Sequence, residues 1–125
     1  MIGRRLTLWG PLVLVLAVSF TLSSMSRVPG AEYFWDKLLH VIEYSGIGLF
    51  ALRAFHGALT RPRLRPTLAA SAFVILWGAS DEFHQSFVPG RDASLLDLCA
   101  DVVGAGVAVL LTFVLAWIRE PRGAG

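Results

Sequence analysis

Leu6 to Ser26 reads LTLWGPLVLVLAVSFTLSSMS, 21 residues without a charged side chain. The hydrocarbon core of a bilayer takes about 20 apolar residues in a helix to cross. In lipid only a helix or a closed barrel satisfies its own backbone groups, so this stretch points to a membrane helix. Pro11 falls in its first turn or two, where a missing backbone donor does little harm. Arg4 and Arg5 before the run and small residues closing it also fit a cleaved signal peptide. What would remain after cleavage is still too apolar for a soluble protein. Over all 125 residues, 55% are hydrophobic and 16% charged, with a mean hydropathy of +0.64. A soluble domain carries about 25% charged residues. It also buries only about two-thirds of its surface at this size, which would leave large apolar patches in water. The low polarity excludes disorder, and one cysteine, Cys99, excludes a disulfide-stapled scaffold. The length suits one domain, residues 1–125.

Working outward, three more hydrophobic segments follow at Lys37 to His56, Thr67 to Ser86 and Leu95 to Ile118. They are interrupted or bounded by Glu43, Arg53, Asp81, Glu82, Asp97 and Asp101. These polar groups lie towards helix ends or can face a bundle interior, where they cost least. The connections contain Pro29–Gly30, the arginine-rich GALTRPRLRP at 57–66 and Pro89–Gly90, all turn signals. Tyr33, Phe34 and Trp35 suit a membrane interface. The expected architecture is all-α: four transmembrane helices in one bundle.

Charge orients it. With the N-terminus, the 57–66 loop and the C-terminus on one side, that side holds Arg4, Arg5, Arg53, Arg61, Arg63, Arg65, Arg119 and Arg122 against Glu120 alone. The opposite side holds Arg27, Lys37 and Arg91 against Glu32, Asp36, Glu43, Asp81, Glu82, Asp92, Asp97 and Asp101. The excess of basic residues marks the first side as cytoplasmic, so both termini are expected inside. The arginine loop is then an anchor at anionic lipid, and no nucleic-acid partner is expected.

The remaining polar groups converge on the outer side. Asp36, His40 and Glu43 or Tyr44 recur at helical spacing along one face of the second helix. Asp81 shares a face with His84 and Gln85 next to Glu82 in the third, and Asp97 and Asp101 lie one turn apart in the fourth. Gly104, Gly106 and Ala108 offer close-approach positions. Ionisable groups inside a membrane are expensive and mark functional sites by default. A His–carboxylate pair could act as general acid and base, with Arg91 holding a phosphate or carboxylate. His40, Glu43 and His84, with Asp81 or Asp97, could ligate a divalent ion, although the spacing is not a zinc-protease motif. The bland alternative is structural: Asp36 and Lys37 as cap and anchor, His40 paired with Glu43, and Asp97 paired with Arg91. Neither Ser80 nor Ser86 lies in a nucleophile elbow, Cys99 faces away from Asp97 and Asp101, and no phosphate loop is present. No cofactor is assigned.

Asp36-Lys37, His40 and Tyr44, then Asp81-Glu82-x-x-Gln85-x-Phe87-x-Pro89-Gly90-Arg91, then Asp97 and Asp101 resemble the VanZ-like family over about residues 32 to 108. Asp101 stands where that family often has asparagine. The resemblance implies a small four-helix integral membrane protein. The family's namesake is associated with low-level teicoplanin resistance, which is not thereby carried over to this chain. An acyl-transfer label travels with some relatives, and these residues supply no nucleophile for it.

The expected function is that of a multi-pass protein of a bacterial-type plasma membrane. An outward-facing polar pocket would recognise or modify a lipid-linked or headgroup substrate of the cell envelope. Arg91 would meet the substrate anion. His40, Glu43, Asp81 and Glu82 would set protonation, with Tyr44 and Gln85 orienting them. The alternatives are a non-catalytic membrane scaffold that binds a protein partner and a metal-dependent membrane enzyme. Membrane lipids are the expected partners in every case.

Overall fold

The structure is a computed structural model that describes residues 2–26, 33–58, 61–91 and 93–119. It is an all-α bundle of four helices: α1 (Ile2–Ser23), α2 (Tyr33–His56), α3 (Leu64–Gln85) and α4 (Leu95–Arg119). The Pro29–Gly30 turn, the tail beyond Arg119, and Arg27, Glu32, Asp92, Glu120 and Arg122 of the charge asymmetry lie outside the described residues.

Three helices, α1, α2 from Trp35 onwards and α4, are long and apolar enough to cross a membrane. The expectation of four such segments is met in helix number but not in apolarity. α3 matches α1 in length at 22 residues, but Arg65, Asp81 and Glu82 dilute its apolar run.

The helix ends differ from the expected bounds for local reasons. α1 begins at Ile2 rather than Leu6, because arginine is a good helix former and Arg4 and Arg5 continue the helix past the apolar run. Pro11 is therefore well inside α1, not in its first turns. A proline there cannot donate to the carbonyl of Thr7, four residues back. That carbonyl instead accepts a hydrogen bond from the Arg53 guanidinium of α2 at 2.5 Å. α1 stops at Ser23, and the Phe20 carbonyl in its last turn accepts from both the backbone N–H and the hydroxyl of Ser24 at 3.0 and 2.7 Å. α2 starts at Tyr33, so the aromatic group expected in a connection opens the helix instead. It ends before Gly57, whose φ of 77° provides a left-handed C-cap. α3 starts at Leu64 with Pro66 in its first turn, where no intrahelical donor is needed. α4 is capped by Ser94, whose Oγ accepts from Leu96 N at 3.1 Å.

α2 is the central helix: it packs against α1, α3 and α4, and its closest partner is α4. The core joins Leu12 of α1, Tyr44, Ile47 and Ala51 of α2, Ala70 and Val74 of α3, and Ala105 and Ala108 of α4. Most of these residues are small on the α4 side because the backbones nearly touch. A Cβ on Gly104 would lie 2.7 Å from the Val41 carbonyl, and one on Gly48 2.6 Å from the Ala108 methyl. Such small-residue seams are how helices associate where lipid removes the hydrophobic drive between them. The larger apolar side chains, such as Leu14, Leu76 and Leu110, point outward and are more than 60% exposed. That reversal suits a lipid surround.

Candidate functional site

The polar groups gather at one end of the bundle, at the start of α2, the end of α3 and the start of α4. Asp36 lies in the first turn of α2 and Asp97 in that of α4, where a carboxylate is favoured by the helix dipole. Lys37 bridges them, pairing with Asp97 and lying 3.4 Å from Asp36. Lys37 thus takes the place expected of Arg91 as the partner of Asp97. Helix spacing puts Lys37 one residue from Asp36, but only the packing of α2 on α4 brings it to Asp97.

One turn deeper, His40 Nδ1 lies 2.8 Å from Asp101 Oδ1, with both side chains buried. Glu43 was the expected partner of His40; it is half-buried and faces α1 instead. The Tyr44 ring lies parallel to that of His40, with centroids 6.3 Å apart, and is fully buried. Gly78 makes room for it: a Cβ there would come within 3.2 Å of Tyr44 Cε1 and 2.8 Å of Asp101 Oδ2. On α3, Gln85 Nε2 donates to Asp81 Oδ2 at 2.9 Å. Glu82 Oε2 accepts from the backbone N–H of Ser94 at 2.9 Å, tying the end of α3 to the cap of α4.

Several buried atoms in this cluster have no hydrogen-bond partner among the described residues: Asp81 Oδ1, Glu82 Oε1, Asp101 Oδ2, the Tyr44 hydroxyl and Arg91 Nε. Leaving such a group unpaired costs about 1–3 kcal/mol, and more for charged groups. A cavity of about 210 Å³ lies beside them. Val15, Val18 and Leu22 of α1 form its apolar wall, with Leu39 and Ile42 of α2. Asp36, His40, Glu43, Asp81, Gln85 and Arg91 form its polar wall, with Ser19 and Ser23.

The expected site is thus divided. Asp36, His40, Glu43, Asp81, Gln85 and Arg91 line the cavity, while Tyr44, Glu82, Asp97 and Asp101 sit away from its wall, in the buried network. His84 joins neither: its Nε2 lies 3.1 Å from Ser24 Oγ and its ring rests on Phe20 of α1. The expected ligand set of His40, Glu43 and His84 is therefore not assembled. Two other groups have donor atoms within 4.8 Å of one another, Asp36–His40–Asp97 and His40–Glu82–Asp101. Cys99 is exposed, as its spacing from the aspartates implied.

The residues missed in the sequence are Lys37 as a network member, Ser94, and Ser19 and Ser23 of α1. Ser94-x-x-Asp97 has the spacing of a capping box and could have flagged the start of α4. Ser19 and Ser23 are one turn apart in an otherwise apolar helix, and both are buried.

The mouse protein "Solute carrier family 4 member 11" is 32% identical over 94 residues, which is 75% of this chain but 11% of that protein. The chain thus spans about a tenth of the length of the curated relative it matches. No solved structure matches. The VanZ/LLP1 family matches residues 6–116, a span that takes in parts of all four helices and the whole polar cluster. On that match the chain is a membrane protein belonging to the VanZ/LLP1 family.

Proposed function

We propose that this protein binds the anionic headgroup of a lipid-linked envelope substrate in the cavity between α1, α2 and α3, at the outer face of a bacterial-type plasma membrane. The observation that carries this reading is the two-sided cavity. Apolar α1 residues face a wall of Asp36, His40, Glu43, Asp81, Gln85 and Arg91, which matches an amphiphile with one chain in lipid and one polar end. Arg91 supplies the cation, and its buried Nε still has a hydrogen bond to give. A guanidinium suits phosphate or carboxylate because its donors are fixed in a planar fork. His40, Glu43 and Asp81 would set protonation around the headgroup, with Gln85 orienting Asp81. The cluster lies outside when both termini are cytoplasmic, with α3 as a fourth span whose charged end sits at the headgroup level. The family's link to glycopeptide resistance fits a role in the envelope.

The test is binding of a single-chain phosphate-headed lipid to the purified chain, compared with a zwitterionic analogue. A charge-assisted hydrogen bond contributes about 1.5–3 kcal/mol. Arg91→Gln is therefore expected to weaken the anionic lipid on the order of tenfold to a hundredfold and leave the zwitterionic lipid unchanged. Equal binding by both proteins would overturn the reading.

A second reading, a scaffold whose polar network specifies packing, draws on the pairs Lys37–Asp97, His40–Asp101 and Gln85–Asp81. It expects substitutions across the cluster to lose folded protein rather than ligand. Solute movement, suggested by the name of the mouse relative, has less support. Further along the bundle, Ser45 and Thr112 spend their hydroxyls on carbonyls of their own helices at 2.6 and 2.8 Å.

A further inference from the structure

We propose that His40, Glu82 and Asp101 form a binding site for one divalent first-row transition metal ion at the junction of α2, α3 and α4. Two donor groups share His40, and they differ in one respect. In Asp36–His40–Asp97 the Lys37 ammonium already sits on both carboxylates. In His40–Glu82–Asp101 the donors come from three helices and all three residues are more than nine-tenths buried. Glu82 Oε1 and Asp101 Oδ2 are each buried without a hydrogen-bond partner among the described residues. Two carboxylates and one imidazole converge at this helix junction, and each carboxylate offers a second oxygen without a partner.

The donor chemistry selects the ion. Imidazole with carboxylates suits zinc and its first-row neighbours, whereas calcium and magnesium favour all-oxygen shells. Ligands about 2.0–2.1 Å from a tetrahedral zinc are separated by roughly 3.3 Å. The donors here lie within 4.8 Å, so modest side-chain rotation brings all three to ligating distance and leaves the fourth position to a water or solute. The Glu82 Oε2 bond to Ser94 N is the kind of orienting hydrogen bond that metal ligands normally carry, and the direct His40–Asp101 contact would give way to the ion as both residues turn to it. His40 also lines the cavity, which gives an ion a route in. The site does not depend on the headgroup reading, and its test reads metal alone.

The full chain, purified in detergent, is loaded with zinc, desalted and measured for metal per chain, and Co²⁺ spectra are recorded. About one zinc per chain is expected, with ligand-field bands of a mixed nitrogen–oxygen site on Co²⁺ loading. Glu82→Gln and His40→Gln should each weaken zinc by about tenfold or more. His84→Gln, at a histidine outside the cluster, should not. Wild-type protein holding well below one zinc, or zinc retained in both Glu82→Gln and His40→Gln, overturns the proposal. So does loss on Asp36→Asn with retention in Glu82→Gln, which would move the ion to the other trio. If His40→Gln does not fold, the Co²⁺ spectrum of the wild-type protein decides: absence of nitrogen ligation sinks the site.

Discussion

The Arg53 guanidinium of α2 donates to the Thr7 carbonyl of α1, the acceptor that Pro11 leaves without its helical donor. Sequence position alone makes Arg53 one of the charges on the expected cytoplasmic side and Pro11 a harmless residue near a helix start. Together they form a cross-helix tie. Arg53→Leu should destabilise the fold by about 1–3 kcal/mol by orphaning that carbonyl. In a Pro11→Ala background, where residue 11 can donate to Thr7 itself, the same change should cost at least about 1 kcal/mol less. Thermal unfolding of the four proteins as a double-mutant cycle measures this coupling. Strict additivity would refute the tie.

Gly104 should tolerate nothing larger. Its added methyl would meet backbone atoms of Val41 and Ser45 at 2.7 and 3.0 Å, and backbone cannot step aside as a flexible side chain can. Gly104→Ala is expected to cost about 1–3 kcal/mol. Gly106→Ala, with nothing within 4 Å, should be neutral or gain about 1 kcal/mol of helix propensity. Equal melting temperatures for the two variants would show that α2 and α4 are not in this contact.

His40 and Asp101 should respond unequally to deletion and to conservative change. Asp101→Ala leaves a buried imidazole without its hydrogen-bond partner and should cost about 1–3 kcal/mol. Asp101→Asn keeps an oxygen acceptor and should preserve most of the stability. The readout is the fraction of monodisperse protein after heating in detergent. A fold indifferent to Asp101→Ala would mean that the pair does not form.

Tyr44→Phe removes a buried hydroxyl with no partner, which is the case where deletion is neutral or stabilising. Thermal unfolding should change by less than about 1 kcal/mol. A larger loss would reveal a hydrogen bond to this hydroxyl.

Orientation is open to chemical labelling. In a Cys99→Ser background, Ala93→Cys should react with an impermeant thiol reagent applied to intact cells, and Ala58→Cys only after lysis. Both positions are exposed. The reverse pattern would invert the proposed topology and place the cavity on the cytoplasmic side.

The helices were legible because apolar run length and the Pro–Gly and arginine-rich connections report backbone cost and bilayer thickness directly. So was burial of Asp97 and Asp101 together, since residues four apart share a face. Pairing was less legible. Asp97 meets Lys37 rather than Arg91, and His40 meets Asp101 rather than Glu43, because partners depend on how each helix is rotated about its axis. That rotation is set by steric fits such as Gly78 against Tyr44 and Gly104 against Val41, which no single-helix periodicity contains. His84 shows the same limit: it follows Asp81 by three residues, yet it lies on the α1 side of α3, with Ser24.

The glycine seam gives the molecule unequal stiffness. α2 and α4 meet backbone to backbone and cannot slide without a clash, whereas α1 buries only Leu12, Ser19 and Ser23 and is held largely by ties such as the one from Arg53. The apolar wall of the cavity belongs mainly to this looser helix and the charged wall mainly to the stiffer remainder. A tilt of α1 would therefore act as a shutter opening sideways into the lipid, while the spacing of the charged groups stayed constant. A guest arriving from within the membrane plane would meet a loosely packed side and a fixed gauge.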